Sequence, residues 1–513
     1  MSQALSPITI QLSEPIMSTQ ETINWAAKAA DIVLPTLAII NGKNVDSVSG
    51  NTAKVFNPAT GKALAQVADC TPDDADIAVG YARASYESGV WSQKSPQARK
   101  KVLLRWAELI EEHADELALL ESLNAGKPIS DTCNVDIPGA ITTLRWTAEA
   151  IDKVYDEIAP TAAHTLALIQ RMPLGVILAI VPWNFPLATT AWKLAPSLAT
   201  GNSVILKPDP KTPFTALRIA QLAIEAGLPD GVLQVLPGDG VNLGKHLSLH
   251  PDIDGQTFTG STAVGKLLTE YSAKSNLKRT FLELGGKSAN IVFADADLDK
   301  AAEMAAVAGF YNSGQTCTAG TRLLIEESIY DEFLEKVAHY TRQWVAADPL
   351  DPISNMGPVI DQRQLDIIQS YIKIGLEEGA RLVCGGNVMA SEQGGFFHEP
   401  TIFADVNNDM RIAREEIFGP VVSAIPFKDM DDAIRIANDS PYGLAGAVWS
   451  RNINTAHKVA AAVRTGTMGV NNYFGGDITV PFGGFKESGN GRDKSLHAMH
   501  DYTELKTIWI ELD

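Results

Sequence analysis

The sequence predicts an α/β protein built on a doubly wound parallel sheet, and three observations carry that expectation. Between residues 174 and 285, strand-like and helix-like patterns alternate. The strand-like runs GVILAIV, NSVILK and GVLQVL are apolar nearly throughout, which suits strands covered on both faces. A second helix and strand follow, at 298–312 and in RLLIEES. Strands alternating with helices imply right-handed crossovers and a parallel sheet with helices on both sides.

Residues 1–20 are polar, with two prolines and a second methionine, Met17. They read as a disordered tail, or as translation begun upstream of a start at Met17, and 1–37 is taken as an N-terminal extension. From Ala38 short β-rich runs are separated by Asn-Gly and Ser-Gly turns. Residues 72–123 read as amphipathic helices. After GVILAIV come a Pro-Trp-Asn-Phe-Pro loop, a short helix and NSVILK. Thr212 and Pro213 are expected to cap the helix FTALRIAQLAIEA, which Gly227 and Pro229 stop. GVLQVL, QTFTGS and FLEL mark the later strands. The C-terminal TELKTIWIEL alternates like a strand with nothing after it to pair with, so it needs cover from elsewhere in the chain or from another subunit.

At roughly 150 residues per domain, 513 residues make about three domain-equivalents. A chain of that size buries its own cores without disulfides or structural metals. Hydrophobic residues at 45% and charged residues at 20% are ordinary globular values, which excludes a mainly disordered, collagen-like or coiled-coil chain. A net charge of −19 argues against nucleic-acid or membrane partners. The longest apolar stretch, 174–183, falls well short of the ~20 residues of a membrane span. The N-terminus has no basic segment followed by an apolar one, so no secretory signal is expected. Four cysteines, Cys70, Cys133, Cys317 and Cys384, form no CxxC pair or zinc-like spacing. No metal and a reducing, cytoplasmic location are expected.

Several motifs carry chemistry. Gly238-Asp-Gly240-Val-Asn-Leu-Gly244 approaches a dinucleotide fingerprint, but its third glycine comes one place late, and alone it reads first as a Gly-rich turn. Phe258-Thr259-Gly260-Ser261 leads from a strand into a helix, where Ser261 is either an ordinary N-cap or part of a phosphate site. Cys317 stands among small residues with glycine on both sides, a setting for an accessible thiolate, although most single cysteines are inert. Glu283 interrupts an apolar strand before Gly-Gly; burial there raises a carboxyl pKa toward the range of a general base, and a lysine-paired strand end is the plainer alternative. Asn184 follows a parallel strand, where ligand crevices open, and its amide can donate to an oxyanion.

Together, VPWNFP (181–186), FTGSTAVG (258–265), LELGGK (282–287), GQTCTAGTR (314–322), EEIFGPV (415–421) and PFGGFKESGNGR (481–492) closely resemble the aldehyde dehydrogenase superfamily, in order and spacing from about residue 38 to 513. The resemblance implies an aldehyde dehydrogenase-like α/β fold. Residues 38–154 and 174–285 would form a Rossmann-type NAD(P)-binding domain and 286–490 a catalytic domain. An oligomerisation element would comprise 155–173 and 491–513, in a homodimer or homotetramer. It implies oxidation of a small-molecule aldehyde, with Cys317 as nucleophile and Glu283 as general base. Asn184 would share the oxyanion hole with the Cys317 N–H, and Lys193 would stand near the base. The cofactor, NAD with NADP left open, would meet Val181, Pro182, Trp183, Lys207, Asp209, Gly240, Gly244, Phe258, Thr259, Gly260, Ser261, Leu284, Gly285, Glu416 and Phe418. Phe185, Trp192, Tyr473, Asp477 and Phe482 would line the substrate channel, with Trp146 near its mouth.

The C-terminal third, with RWTAEAIDKVYDE and LLESLNAGKPI, looks most like bacterial γ-glutamyl-γ-aminobutyraldehyde and 4-guanidinobutyraldehyde dehydrogenases. That implies a four-carbon aldehyde with a polar far end, in polyamine or arginine catabolism; Asp477 would favour a cationic tail, or would only cap a turn. One departure stands out: Pro210 follows Lys207-Pro208-Asp209 where many members carry the glutamate that chelates the adenosine ribose. The alternatives are a broad-specificity aliphatic or aromatic aldehyde dehydrogenase, a Cys317-dependent thioesterase or acyltransferase on the same fold, and a non-catalytic member.

Overall fold

A computed structural model describes residues 23–390 and 394–512. The expected tail, residues 1–20, lies outside the described residues. Folded chain begins earlier than the expected Ala38. Asn24 caps the helix Trp25–Asp31 by accepting the Ala27 N–H at 3.0 Å, and Trp25 is buried in the first core.

The first sheet has seven strands in the order Arg279–Glu283, Gly255–Thr259, Val176–Ile180, Ser203–Lys207, Leu233–Val235, Ala38–Ile40 and Lys43–Val45. The first five run parallel, as the apolar runs at Val176–Ile180, Ser203–Lys207 and Leu233–Val235 predict. The other two form a hairpin that joins the edge antiparallel, through Ile39 and Val235. Its turn is Asn41-Gly42, both at positive φ (51° and 73°), the conformation a two-residue hairpin turn needs. The residues expected to form amphipathic helices fold as Pro72–Ser88, Pro96–Glu112 and Ala114–Ala125.

A second seven-stranded sheet runs Arg381–Cys384, Thr401–Ala404, Val421–Phe427, Arg322–Glu326, Ala289–Val292, Ala445–Trp449, Thr467–Val470, parallel except at its first pair. A separate three-stranded antiparallel sheet pairs the C-terminal strand Thr503–Glu511 with Thr165–Pro173 over nine residue pairs, with Glu157–Ala159 beyond. The C-terminal strand therefore finds its partner within the chain. Its other edge has no partner strand among the described residues, and Leu505 and Trp509 are exposed on it.

Two local expectations are corrected. The helix Phe214–Glu225 starts after Pro213, not at it, and Thr212 does not cap it. Its Phe214 N–H goes instead to Asn124 Oδ1 at 3.2 Å, so a tertiary acceptor displaces the local one. The helix expected over 298–312 ends at Phe310, because Asn312 and Ser313 adopt positive φ (50° and 58°).

Candidate active site

A cavity of about 1640 Å³ opens between the C-terminal ends of the first sheet and the loop before strand Arg322–Glu326. Such crevices are where parallel α/β sheets place ligands. Cys317 lies on that loop. Asn312, Ser313 and Gly314 take positive φ in succession, and a Cβ at Gly314 would sit 2.2 Å from the Gly419 carbonyl oxygen. Side chains hold the strained turn. Asn312 Nδ2 donates to the Asn184 carbonyl at 3.1 Å, Ser313 Oγ to the Gly357 carbonyl at 2.7 Å, and Tyr473 Oη to the Thr318 carbonyl at 2.7 Å.

The thiol of Cys317 reaches the cavity yet is poorly solvated. Burial, then the carboxylates of Glu416 and Glu283, push it up to about 12. Asn184 is buried beside it and donates from Nδ2 to the Gln315 carbonyl at 2.9 Å. A side-chain amide has two N–H groups, so a second donor remains.

Glu283 ends its strand with both carboxyl oxygens buried and unpartnered. Burial raises it well above the usual carboxylate range; Asp493 and Asp501 push the same way, and Lys193 and Arg492 oppose them. Lys193 Nζ sits 2.7 and 3.0 Å from the two oxygens of Asp493, both side chains buried. A buried carboxyl with no partner is the arrangement that raises a carboxylate into a stronger base.

Glu416 also lines the cavity; it accepts the Gly286 N–H at 3.0 Å, and burial pushes its carboxyl up to about 7. A Cβ on Gly285 would lie 2.0 Å from Glu416 Oε2, so only glycine lets that carboxylate approach the backbone. Trp183 meets Phe418 edge to face at 5.2 Å. Ser261 caps the helix Thr262–Lys274, accepting the Val264 N–H at 3.4 Å, and it also lines the cavity with Thr259 and Gly260.

The family model for the aldehyde dehydrogenase family matches residues 45–508. The chain belongs to the aldehyde dehydrogenase family. It is 51% identical over 490 residues, 95% of this chain and 98% of the relative, to the NADP/NAD-dependent aldehyde dehydrogenase PuuC of Escherichia coli K12. A crystal structure of a γ-glutamyl-γ-aminobutyraldehyde dehydrogenase from Burkholderia cenocepacia J2315 superposes with a TM-score of 0.94 at 54% identity, covering 95% of this chain and 99% of that one. An indole-3-acetaldehyde dehydrogenase complexed with NAD+ gives the same TM-score, identity and coverage. The protein is an NAD(P)-dependent aldehyde dehydrogenase with the α/β fold of that family.

Within this aldehyde dehydrogenase, most of the residues singled out in the sequence share the one cavity. Asn184, Glu283 and Cys317 line it together. Pro182, Trp183, Thr259, Gly260, Ser261, Leu284, Gly285, Glu416 and Phe418 line it on the side expected for the cofactor. Phe185, Trp192, Asp477 and Phe482 line it on the side expected for the aldehyde. Lys193 stands behind this wall.

Others lie elsewhere. Val181 and Phe258 are buried in the hydrophobic cores. Lys207, Asp209, Gly240 and Gly244 form a separate cluster: the Lys207 side chain passes 3.5 Å from where a Gly244 Cβ would be, and the Gly240–Gly244 segment is a helical turn capped by Asp239. Tyr473 is no channel residue. It is buried beneath Gly320 and braces the Cys317 loop, while its neighbour Phe474 faces the cavity. Trp146 packs on the first core and does not line the cavity. Asp477 caps a turn, accepting from the Thr479 N–H at 2.8 Å and the Thr479 hydroxyl at 2.6 Å.

Sequence reasoning missed Asp493, Lys494, Asp131 and Tyr311. Asp493 and Lys494 directly follow the Gly-rich block at 481–492, and Tyr311 directly precedes Asn312, so position next to a motif was the available signal. Asp131 Oδ2 and the Tyr311 hydroxyl are buried without partners at the cavity wall, and burial pushes Asp131 up to about 7.

Proposed function

We propose that the enzyme oxidises an ω-amino-type aldehyde, 4-(γ-glutamylamino)butanal or 4-guanidinobutanal, to the acid by covalent catalysis at Cys317. The meeting of Cys317, Asn184 and an unpartnered buried Glu283 in one cavity carries the chemistry, and the likeness to a γ-glutamyl-γ-aminobutyraldehyde dehydrogenase supports the substrate class. After the Cys317 proton passes to solvent water, the thiolate adds to the aldehyde carbon, and the oxyanion formed is held by the second N–H of Asn184 and the Cys317 backbone N–H. Losing one such donor costs about 3–4 kcal/mol. NAD(P)+, when bound, supplies the hydride acceptor. Glu283 then takes a proton from the water that attacks the thioester, while the Lys193–Asp493 pair fixes the charge behind it. An intact base favours hydrolysis over acyl transfer.

Glu416, Trp183 and Phe418 would hold the nicotinamide end, Thr259 to Ser261 with Leu284 and Gly285 the diphosphate region, and Lys207 the adenosine ribose. The glycine cradle at Gly285 and Glu416 fits a ribose carboxylate contact. Absorbance growth at 340 nm with a panel of aldehydes, run with both NAD and NADP, tests the reading. No cofactor reduction with any aldehyde, together with acid release from an acyl thioester, would instead indicate a thioesterase. We also place the enzyme in the cytoplasm, where its four free cysteines stay reduced.

Asp209 Oδ1 accepts the Lys211 N–H at 2.9 Å, so the carboxylate next to Pro210 is engaged in its own turn. A 2′-phosphate therefore meets less repulsion than it would beside a glutamate. NAD should be preferred over NADP by a narrower margin than in glutamate-bearing relatives. Pro210→Glu should widen that margin in kcat/KM; a narrowing would reject the argument.

The antiparallel sheet at Thr503–Glu511 is proposed to mediate a homodimer or homotetramer. Deleting 503–513 uncovers Thr165–Pro173 and should give smaller or aggregated species. Light scattering that shows an unchanged oligomer would count against it.

A further inference from the structure

Lys494 stands where the aldehyde's tail would pass. Its Nζ lies 4.6 Å from the ring centroid of Trp192 and 5.6 Å from that of Phe482, and the two rings meet at a 50° tilt with centroids 5.2 Å apart. The backbone is set to put it there. Lys494 has φ 62°, a conformation unusual for a residue with a side chain, and the flanking chain is clamped to the 478–482 loop. Phe482 and Asp493 exchange backbone hydrogen bonds at 2.8 and 2.7 Å, and the Ser495 N–H reaches the Ile478 carbonyl at 2.9 Å.

The ammonium has no hydrogen-bonded carboxylate among the described residues. Asp493 is taken by Lys193, and Asp477 by Thr479. A cation held against aromatic faces and short of water gains most by recruiting an oxygen acceptor, and it repels another cation.

We propose that Lys494 is a specificity-determining residue: its ammonium donates to a carbonyl or carboxylate oxygen several bonds from the aldehyde carbon. It thereby selects amide-bearing aldehydes over those ending in a free ammonium or guanidinium. This reverses the cationic preference expected from Asp477, whose carboxylate closes a turn. Among the other acids lining the cavity, Glu303 is accompanied by Lys300. Asp136 is ion-paired with Lys127 at 2.7 Å, and burial holds Asp131 toward its neutral form.

The inference rests on aldehyde oxidation at Cys317, and wild-type turnover of butanal tests that reading separately. For Lys494, kcat and KM are measured with 4-(γ-glutamylamino)butanal, 4-guanidinobutanal and butanal, in wild type, Lys494→Met and Lys494→Arg. Loss of a charged hydrogen bond predicts that Lys494→Met lowers the kcat/KM ratio of the γ-glutamyl substrate to butanal roughly ten- to hundred-fold, mainly through KM. The ratio of guanidinobutanal to butanal should rise. Lys494→Arg, which keeps the charge, should retain most of the wild-type ratio and so separates recognition from folding. Equal losses on all three substrates would overturn the proposal, because they would mean that Lys494 acts on Cys317 or on the scaffold. An unchanged ratio in Lys494→Met would overturn it as well.

Discussion

Cys317→Ala should abolish aldehyde oxidation, with a loss of at least about ten-thousand-fold in kcat, while NAD still binds. The asymmetry follows from the geometry. The sulfur is the group proposed to bond to the aldehyde carbon, whereas the groups proposed to hold the dinucleotide, Glu416, Trp183 and Phe418, approach the cavity from other elements. Alanine leaves the loop intact, because the loop is held by Asn312, Ser313 and Tyr473 and not by the thiol. Calorimetric titration with NAD should therefore give an affinity close to wild type. The ordinary state of Cys317 here is the thiol, since burial and two nearby carboxylates push it up to about 12. Alkylation by iodoacetamide should accordingly be slow at pH 7 and accelerate as pH rises. Rapid turnover by the alanine variant would remove the covalent mechanism altogether.

What the sequence made legible, and what it did not, divides along a physical line. Three of the five parallel strands were readable because burial on both faces leaves few polar positions to interrupt the run, as in Val176–Ile180. The Asn41-Gly42 turn was readable because few other residue pairs accept positive φ twice. Thr212 was misread because capping is a local rule, and a distant Asn124 offered the better acceptor. Tyr473 was misplaced for a related reason. In a loop there is no period to say which side chain faces the ligand, and here the tyrosine turned inward while Phe474 took the wall. Asp493 and Lys494 gain their meaning only in three dimensions: one is completed by Lys193, 300 residues away, and the other by the faces of Trp192 and Phe482.

Glu283→Gln should separate the two halves of the reaction. Glutamine keeps the shape of the side chain and removes both the charge and the ability to accept a proton. Formation of the acyl-enzyme should survive. The Glu283 carboxylate is one of the charges that keep Cys317 protonated, so its removal does not disfavour the thiolate. Hydrolysis should slow by roughly a hundred- to ten-thousand-fold, the usual contribution of a positioned base. The signature is a burst of one reduced cofactor per site, then a slow steady rate, with the acyl group retained on the protein by mass spectrometry. The pH profile carries the sign. A base works deprotonated, and burial has raised Glu283 well above the usual carboxylate range, so wild-type hydrolysis should be weak at low pH and climb as pH rises through that raised value. The charged groups around it, Lys193, Arg492, Asp493 and Asp501, set where the climb falls, and Asp501 itself is pushed up to about 6. In Glu283→Gln the rising limb should vanish, leaving a flat, slow rate. A variant with full steady-state turnover and no burst would show that another group activates the water.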